Sequence, residues 1–245
     1  MNSLTQKIRG LVRQTGFDLV RYQPRTNQRA RRRALFATYG INLVFDVGAN
    51  IGVFGQELRE QGYTGKIISF EPVGHCYDLL KACAAKDGNW EAHNCALGNA
   101  NTTSEINLAA DSTKSSFLPM DPFLKEHIPD SKFVGKQTIQ IKTLDSIFDS
   151  LVKPGDKIML KMDVQGFEGN VIEGAAQSLQ HIETVQTEMS MRPTYSGQKL
   201  YYELAAMLYA HGYVLVGFED GFADDHTGEL FEADGIFHRP ALPKA

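Results

Sequence analysis

Cysteine is scarce in this sequence. Cys76, Cys83 and Cys95 are the only three in 245 residues. An odd, sparse set makes no disulfide framework and fits the reduced thiols of a cytoplasmic protein. Cys76 and Cys83 lie seven apart, on one helix face, and read as small buried apolar residues rather than a redox or metal pair. No apolar run approaches the roughly 20 residues that a membrane span needs, so no transmembrane segment is expected. The N-terminal "MNSLTQKIRGLVRQTGFDL" is amphipathic but has no secretory apolar core. Positive charge is not in excess: 25 Lys and Arg face 29 Asp and Glu, for a net charge of −4. That balance argues against a dedicated nucleic-acid binder. Internal repeats and low-complexity linkers are missing too.

Alternation of strand and helix patterns is present. Residues 1–40 have helical spacing, with Leu4, Ile8, Leu11 and Val12 on one face. They are expected to form a helical extension, with a single domain over 41–245. From there the strands are "NLVFDV", "KIISFE", "NWEAHN", "KIMLKMDV", "ETVQTEMS", "YVLVGFED" and "GIFHR". The helices between them are "IGVFGQELREQG", "GHCYDLLKACAAK", "FEGNVIEGAAQSL" and "QKLYYELAAMLYAHG". Two extended pieces, "SEINLA" and "QTIQIKTLD", flank a polar insert between the third and fourth strands. Such alternation predicts an α/β fold with a mostly parallel sheet covered by helices on both faces. Ligands on such sheets bind at the carboxyl ends of the strands.

The first strand runs into "DVGANIG". A Walker A loop would continue Gly-Lys-Ser/Thr; here Val53 and Phe54 follow Gly52, with no lysine for a phosphate. A dinucleotide loop needs G-x-G-x-x-G, and Gly48 and Gly52 have the wrong spacing for it. Asp46 just before the loop would repel a pyrophosphate. It suits a cationic ligand, and S-adenosylmethionine, with a sulfonium, an ammonium and no phosphate, fits. Glu71 at the end of "ISFEP" is placed to accept both ribose hydroxyls. Asp46 as a helix cap and Glu71 as a solvated strand end remain alternatives. "HNCALG" offers Asn94 and a small apolar turn through Ala96, either a seat for a flat adenine or a plain strand-to-turn exit. "LKMDVQGFEGNVIEG" crowds Asp163, Gln165 and Glu168 at the end of an apolar strand, and Glu188 ends the next strand. Capping by Asp163, with Glu168 in the first helical turn, is the competing account.

Three segments, "VFDVGANIGVF", "IISFEPVGHCYDLL" and "IMLKMDVQGFEGNVIEGA", in this order and spacing, resemble the FkbM family of S-adenosylmethionine-dependent methyltransferases. The resemblance covers residues 40–240. It departs at Gln165, where the family usually has Glu. It implies a Rossmann-like class I methyltransferase with a seven-stranded sheet, the last strand antiparallel, and an insert between strands 3 and 4. It also implies methyl transfer to oxygen, commonly a hydroxyl of a sugar, glycan or polyketide-like product. By carry-over Asp46, Gly48, Ala49, Asn50 and Gly52 line the methionine part of the cofactor. Glu71 and Pro72 lie at the ribose, Asn94 and Ala96 near adenine, and Asp163 near the transferred methyl.

An aliphatic hydroxyl needs a base to take its proton as it attacks. Asp163 and Glu188 are the candidates, with His127 in the insert or His226 in "EDGFADDHTGE" as loop alternatives. Asp224, Asp225, His226 and Glu229 resemble a magnesium set but read better as a polar loop, and no metal is expected. The run Arg25, Arg29, Arg31, Arg32 and Arg33 is either a solvated helix face or a site for an anionic or lipid-linked acceptor. Ser115, Ser116, Phe117, Phe123 and Phe133 in the insert Asp111–Gly135, with Met191–Gly197, are expected to cover the acceptor, with plain surface packing as the equal alternative. The amphipathic N-terminal helix is a candidate for pairing two subunits into a homodimer. A nucleic-acid methyltransferase, a nicotinamide-dependent dehydrogenase and a non-catalytic adenosyl-binding module are the rival readings.

Overall fold

A computed structural model describes residues 3–127 and 131–240. The chain divides between Thr38 and Tyr39 into two compact units. The first holds α1 (Ser3–Arg13) and most of α2 (Gln28–Tyr39). The helical spacing across 1–40 is broken because Gly16 turns at φ +84°, and residues 17–21 have no regular structure. Asp18 folds back on α1, accepting from Arg9 at 2.6 and 2.7 Å and from Arg13 at 2.9 Å.

The second unit runs β1 (Leu43–Val47), α3 (Val53–Glu60), β2 (Lys66–Phe70), α4 (Gly74–Ala84), β3 (Trp90–His93), β4 (Ala96–Leu97) and β5 (Thr102–Ala109). It continues α5 (Pro122–His127), β6 (Phe133–Lys142), α6 (Leu144–Leu151), β7 (Ile158–Met162), α7 (Glu168–Glu173), β8 (Thr184–Ser190), α8 (Tyr201–Ala210), β9 (Val214–Asp220) and β10 (Glu232–His238). Seven strands form one sheet in the order β3-β2-β1-β7-β8-β10-β9. Of the seven, β10 alone runs opposite to the other six. Strands β1 and β7 are buried at every position, as a parallel strand covered on both faces must be. Phe45 packs edge-on against Phe70 and Phe148 at 6.2 and 6.0 Å between centroids. Each such side chain contributes about 1.5–3 kcal/mol by leaving water.

The insert between the third and fourth strands of this sheet builds a second sheet, β4-β6-β5. Its small core includes Val73, Cys76, Ile106 and Ile139. Residues 128–130 of the insert lie outside the described residues. Two elements differ from the sequence pattern. The pattern makes "KTLD" extended, but Thr143 caps α6, its hydroxyl accepting from the Ser146 N–H at 3.2 Å. The helix expected over "FEGNVIEGAAQSL" stops at Glu173. The Asp145 carboxylate takes the N–H groups of Gln177 and Ser178 at 3.0 and 2.7 Å. That diverts the chain into a 3-10 turn, Ser178–His181.

The registers create the site. Val47 pairs with Phe70 on one side and Met162 on the other. Phe70 pairs with His93, Met162 with Thr187, and Glu188 with Asp234. The next residues therefore stand in a row along the carboxyl edge: Asn94, Glu71, Gly48, Asp163, Glu188 and, from β10, Asp234. Strand order reverses at β1, where loops to either side part and leave a crevice.

Candidate active site

Gly48 closes β1 at φ +78°. A Cβ there would stand 1.9 Å from the Asp163 carbonyl oxygen. Only glycine lets the β1 loop lie against the end of β7. The Gly48 and Ala49 N–H groups both donate to the Phe70 carbonyl, at 3.0 and 3.1 Å, and Asn50 follows at φ +49°. Gly52 serves packing. A Cβ on it would meet the Trp90 ring at 3.2 Å and Leu80 at 3.1 Å, so this glycine lets α3 approach β3.

Glu71 is buried and accepts from the Asn50 N–H (Oε2) and the Val73 N–H (Oε1), each at 2.8 Å. Burial pushes its carboxyl up to about 7 in spite of both bonds. Each oxygen keeps a further lone pair for a hydroxyl donor. Asn94 donates to the carbonyls of Glu71 and Pro72 at 2.9 and 3.2 Å, fixing this strand end rather than facing the cavity.

Asp46 is fully buried beneath the loop. It accepts from the Ser69 hydroxyl at 3.3 Å, which in turn accepts from the Trp90 indole at 3.0 Å. On its other side stands Lys161, a residue whose role is not evident from the sequence pattern. Its Nζ is 3.6 Å from Asp46 Oδ1 and 3.4 Å from Asp163 Oδ2. Burial pulls the Lys161 ammonium down, but Asp163, Asp46 and Asp234 outweigh it and hold it charged. Burial likewise pushes Asp163 up, and the ammonium overcomes that to hold it well below the usual carboxylate range. A lone lysine inside "IMLKM", level with Asp46 on the next strand, is the signal that could have pointed to it.

Beyond Asp163 the polar row continues. Gln165 takes φ +54° and donates to both Asp163 and Glu188 at 2.9 Å. Its own oxygen accepts from the Tyr195 hydroxyl at 2.9 Å. The Ser116 hydroxyl donates to the Gln165 carbonyl at 2.7 Å, which ties the insert to this turn. Burial and the charge on Asp163 raise Glu188 well above its ordinary value. Of the two, Glu188 is therefore the weaker acid and Asp163 the stronger. Glu168, one of the three polar groups crowded at this strand end, is structural. It accepts from the Val164 N–H at 2.9 Å and the Gly166 N–H at 3.4 Å.

A cavity of about 330 Å³ follows the row. Gly48, Asn50, Glu71, Pro72, Ala96, Asp163 and Glu188 line it, with Ser115 and Phe117 of the insert. Glu232, Asp234, Phe222 and Lys114 line it as well, and the sequence pattern does not single them out. Asp46, Ala49, Gly52 and Asn94 support the lining from behind. His127 and His226 are not brought to it. His127 bonds the Phe123 carbonyl one helical turn back, at 2.9 Å, and packs on Phe123 and Phe231. His226 sits in an exposed turn where Asp224 takes the N–H groups of His226 and Thr227. Glu229 pairs with Arg192, so the acids Asp224 and Glu229 of that loop are engaged separately. Among the described residues no group of three or more His, Cys, Asp or Glu is arranged to hold a metal. Phe123 packs with His127 and Phe231 rather than facing the cavity.

The donor set tests what this cavity can hold. Five acidic side chains, Glu71, Asp163, Glu188, Glu232 and Asp234, with Asp163 held ionised, face Lys114 as the one cation of the described lining. A pyrophosphate finds little to pair with there, whereas a sulfonium and an ammonium do. The sheet order with its antiparallel β10, the Gly48 cradle and Glu71 at the second strand end are features of the Rossmann-like fold of S-adenosylmethionine-dependent methyltransferases. Residues 46–215 match the methyltransferase FkbM domain, and the chain belongs to that family. Methyltransferase sdnD of Sordaria araneosa is 28% identical over 165 residues, 58% of this chain and 63% of that protein. The crystal structure of methyltransferase FkbM from Methylobacillus flagellatus KT superposes with a TM-score of 0.50 at 15% identity. The superposition covers 81% of this chain and 44% of that one. The chain thus spans under two thirds of both relatives. Among the described residues no helix is long and apolar enough to cross a membrane.

Proposed function

We propose that the protein transfers a methyl group to a hydroxyl oxygen of a sugar, glycan or polyketide-like acceptor. S-adenosylmethionine supplies an electrophilic methyl on a sulfonium. The observation that carries the reading is the acidic row continuing past Asp163 to Glu188, Glu232 and Asp234. Glu71 accepts the ribose hydroxyls, and Gly48 and Asn50 lie along the methionine part. Val73, Ala96, Leu97 and Ile106 give adenine an apolar slot. Asp163, held ionised by Lys161, balances the positive charge of the cofactor.

Glu188 faces the acceptor. Its raised carboxyl makes it a stronger base than Asp163 once ionised, and a cation bound beside the pair favours that ionisation. The acceptor proton then passes to a Glu188 carboxylate oxygen as the oxygen attacks. Holding donor and acceptor in line supplies roughly 7–11 kcal/mol of the barrier reduction. A polyol offers O–H donors to this carboxylate-rich end, and an anionic group finds only Lys114. The same acids favour a second reading, an acceptor amine that binds as its ammonium and gives a proton to Glu188 before its nitrogen attacks the methyl. Three reduced thiols suit a cytoplasmic enzyme.

The test is calorimetric titration with S-adenosylmethionine and its demethylated product, on wild type and Glu71→Ala. Methyl-labelled cofactor is then offered to glycoside and polyketide panels. Micromolar-range binding lost in the variant, with an O-methyl ether as product, is expected. An N-methyl product supports the amine reading instead. No labelled product on any panel, with binding intact, removes the acceptor class.

A further inference from the structure

We infer that the first compact unit is a docking module for an anionic lipid surface. Nine Lys and Arg, from Lys7 to Arg33, precede residue 39, eight of them at least partly exposed and Arg32 buried, against one acid, Asp18. The remaining chain holds sixteen bases against twenty-eight acids. The one acid is neutralised internally, held well below its ordinary range by the Arg9 and Arg13 guanidiniums. Those bonds also fix the segment after α1 against the polar side of the helix.

The same stretch leaves Ile8, Leu11, Phe17, Leu19, Val20 and Tyr22 exposed, with Leu11 at 65% and Phe17 at 73%. On α1, Ile8, Leu11 and Val12 share one side, while Arg9 and Arg13 lie on the other. A helix that is polar on balance, with one apolar stripe and a basic opposite face, suits the plane of a bilayer interface. Clustered Lys and Arg add attraction to anionic headgroups. Charge selects the occupant. A second copy of this unit would bring the same excess of positive charge. A nucleic acid would meet the charge but leave aliphatic Ile8, Leu11, Leu19 and Val20 in water, since it is bound through its phosphates and, where single-stranded, by stacking on planar groups.

The test uses the full chain and vesicles of phosphatidylcholine, with or without about 30% phosphatidylglycerol. Flotation with the anionic vesicles is expected to exceed that with neutral ones by about tenfold and to fall as salt rises. The exposed double variant Leu11→Glu/Phe17→Glu, with native circular dichroism, is expected to return flotation to the neutral-vesicle level. Equal flotation on both vesicles, or flotation indifferent to the double variant, overturns the inference. So does a lipid-free oligomer that the variant dissociates, or a duplex RNA shift that the variant abolishes without any flotation. Cofactor titration of the same variant separates this inference from the methyl-transfer reading, since neither residue lines the cavity.

Discussion

The two ends of the cavity are built by different means. At the end proposed for the cofactor, backbone does most of the work. The donors are main-chain N–H groups, Gly48 to the Phe70 carbonyl and Asn50 and Val73 to the Glu71 carboxylate, and the parallel registers set every spacing. At the end proposed for the acceptor, side chains do it. Gln165, Tyr195, Ser116, Glu188 and Asp234 come from a turn, a loop, the insert and two strands. A main-chain site tolerates almost no change in shape. A side-chain site tolerates changes of shape but is sensitive to charge.

The sharpest way to break this contrast is Gly48→Ala. The new methyl would meet the Asp163 carbonyl at 1.9 Å, and the residue would be strained at φ +78° besides. Neither backbone segment can yield without pulling β1 from β7. We expect loss of cofactor affinity by about 10²-fold or more and destabilisation of about 2–4 kcal/mol. Titration and chemical denaturation check both, and a variant that binds normally would show that the loop is not rigid.

Glu188→Gln tests the other end. It keeps the shape and a partner for Gln165 but removes the titrating carboxyl. We expect kcat to fall by about 10²-fold with cofactor affinity within about threefold of wild type. A matching fall in cofactor affinity would place Glu188 at the wrong end of the row.

The same contrast explains what is legible in the sequence. Strand ends carry short signals, so "DVGAN", "FEP" and "KMDVQGFEG" point to Gly48, Glu71 and Asp163 without a structure. The seven-stranded sheet and the insert follow from alternation and family resemblance. Lys161 is hidden because its partner Asp46 is 115 residues earlier and only the β1–β7 register joins them. Glu232 and Asp234 are hidden because β10 arrives antiparallel, bringing its start rather than its end to the site. His127 and His226 attract attention by residue type, yet their loops fold away from the cavity around Phe231 and Asp224. The break in the N-terminal helix is visible in Gly16, but the Asp18 bonds to Arg9 and Arg13 that fold the chain back are not.

The smallest expected effect sharpens the contrast through pH. Burial raises Glu71 from 4.5 to about 7 in the folded chain. A raised carboxyl contributes stability that is complete below the unfolded value and is lost as pH rises through the folded one. Glu71 therefore costs the cofactor-free protein up to about 3 kcal/mol between pH ~5 and pH ~8. Glu71→Gln should match wild type in stability near pH ~5 and exceed it near pH ~8, as read by urea denaturation at both values. Cofactor affinity should run the other way in wild type, rising as pH passes about 7, because the ionised carboxylate is the better acceptor for ribose hydroxyls. In Glu71→Gln that rise should flatten. Glu188→Gln should leave it in place, because its carboxyl belongs to the acceptor end; a rise that vanished in Glu188→Gln instead would mean the two ends titrate as one unit.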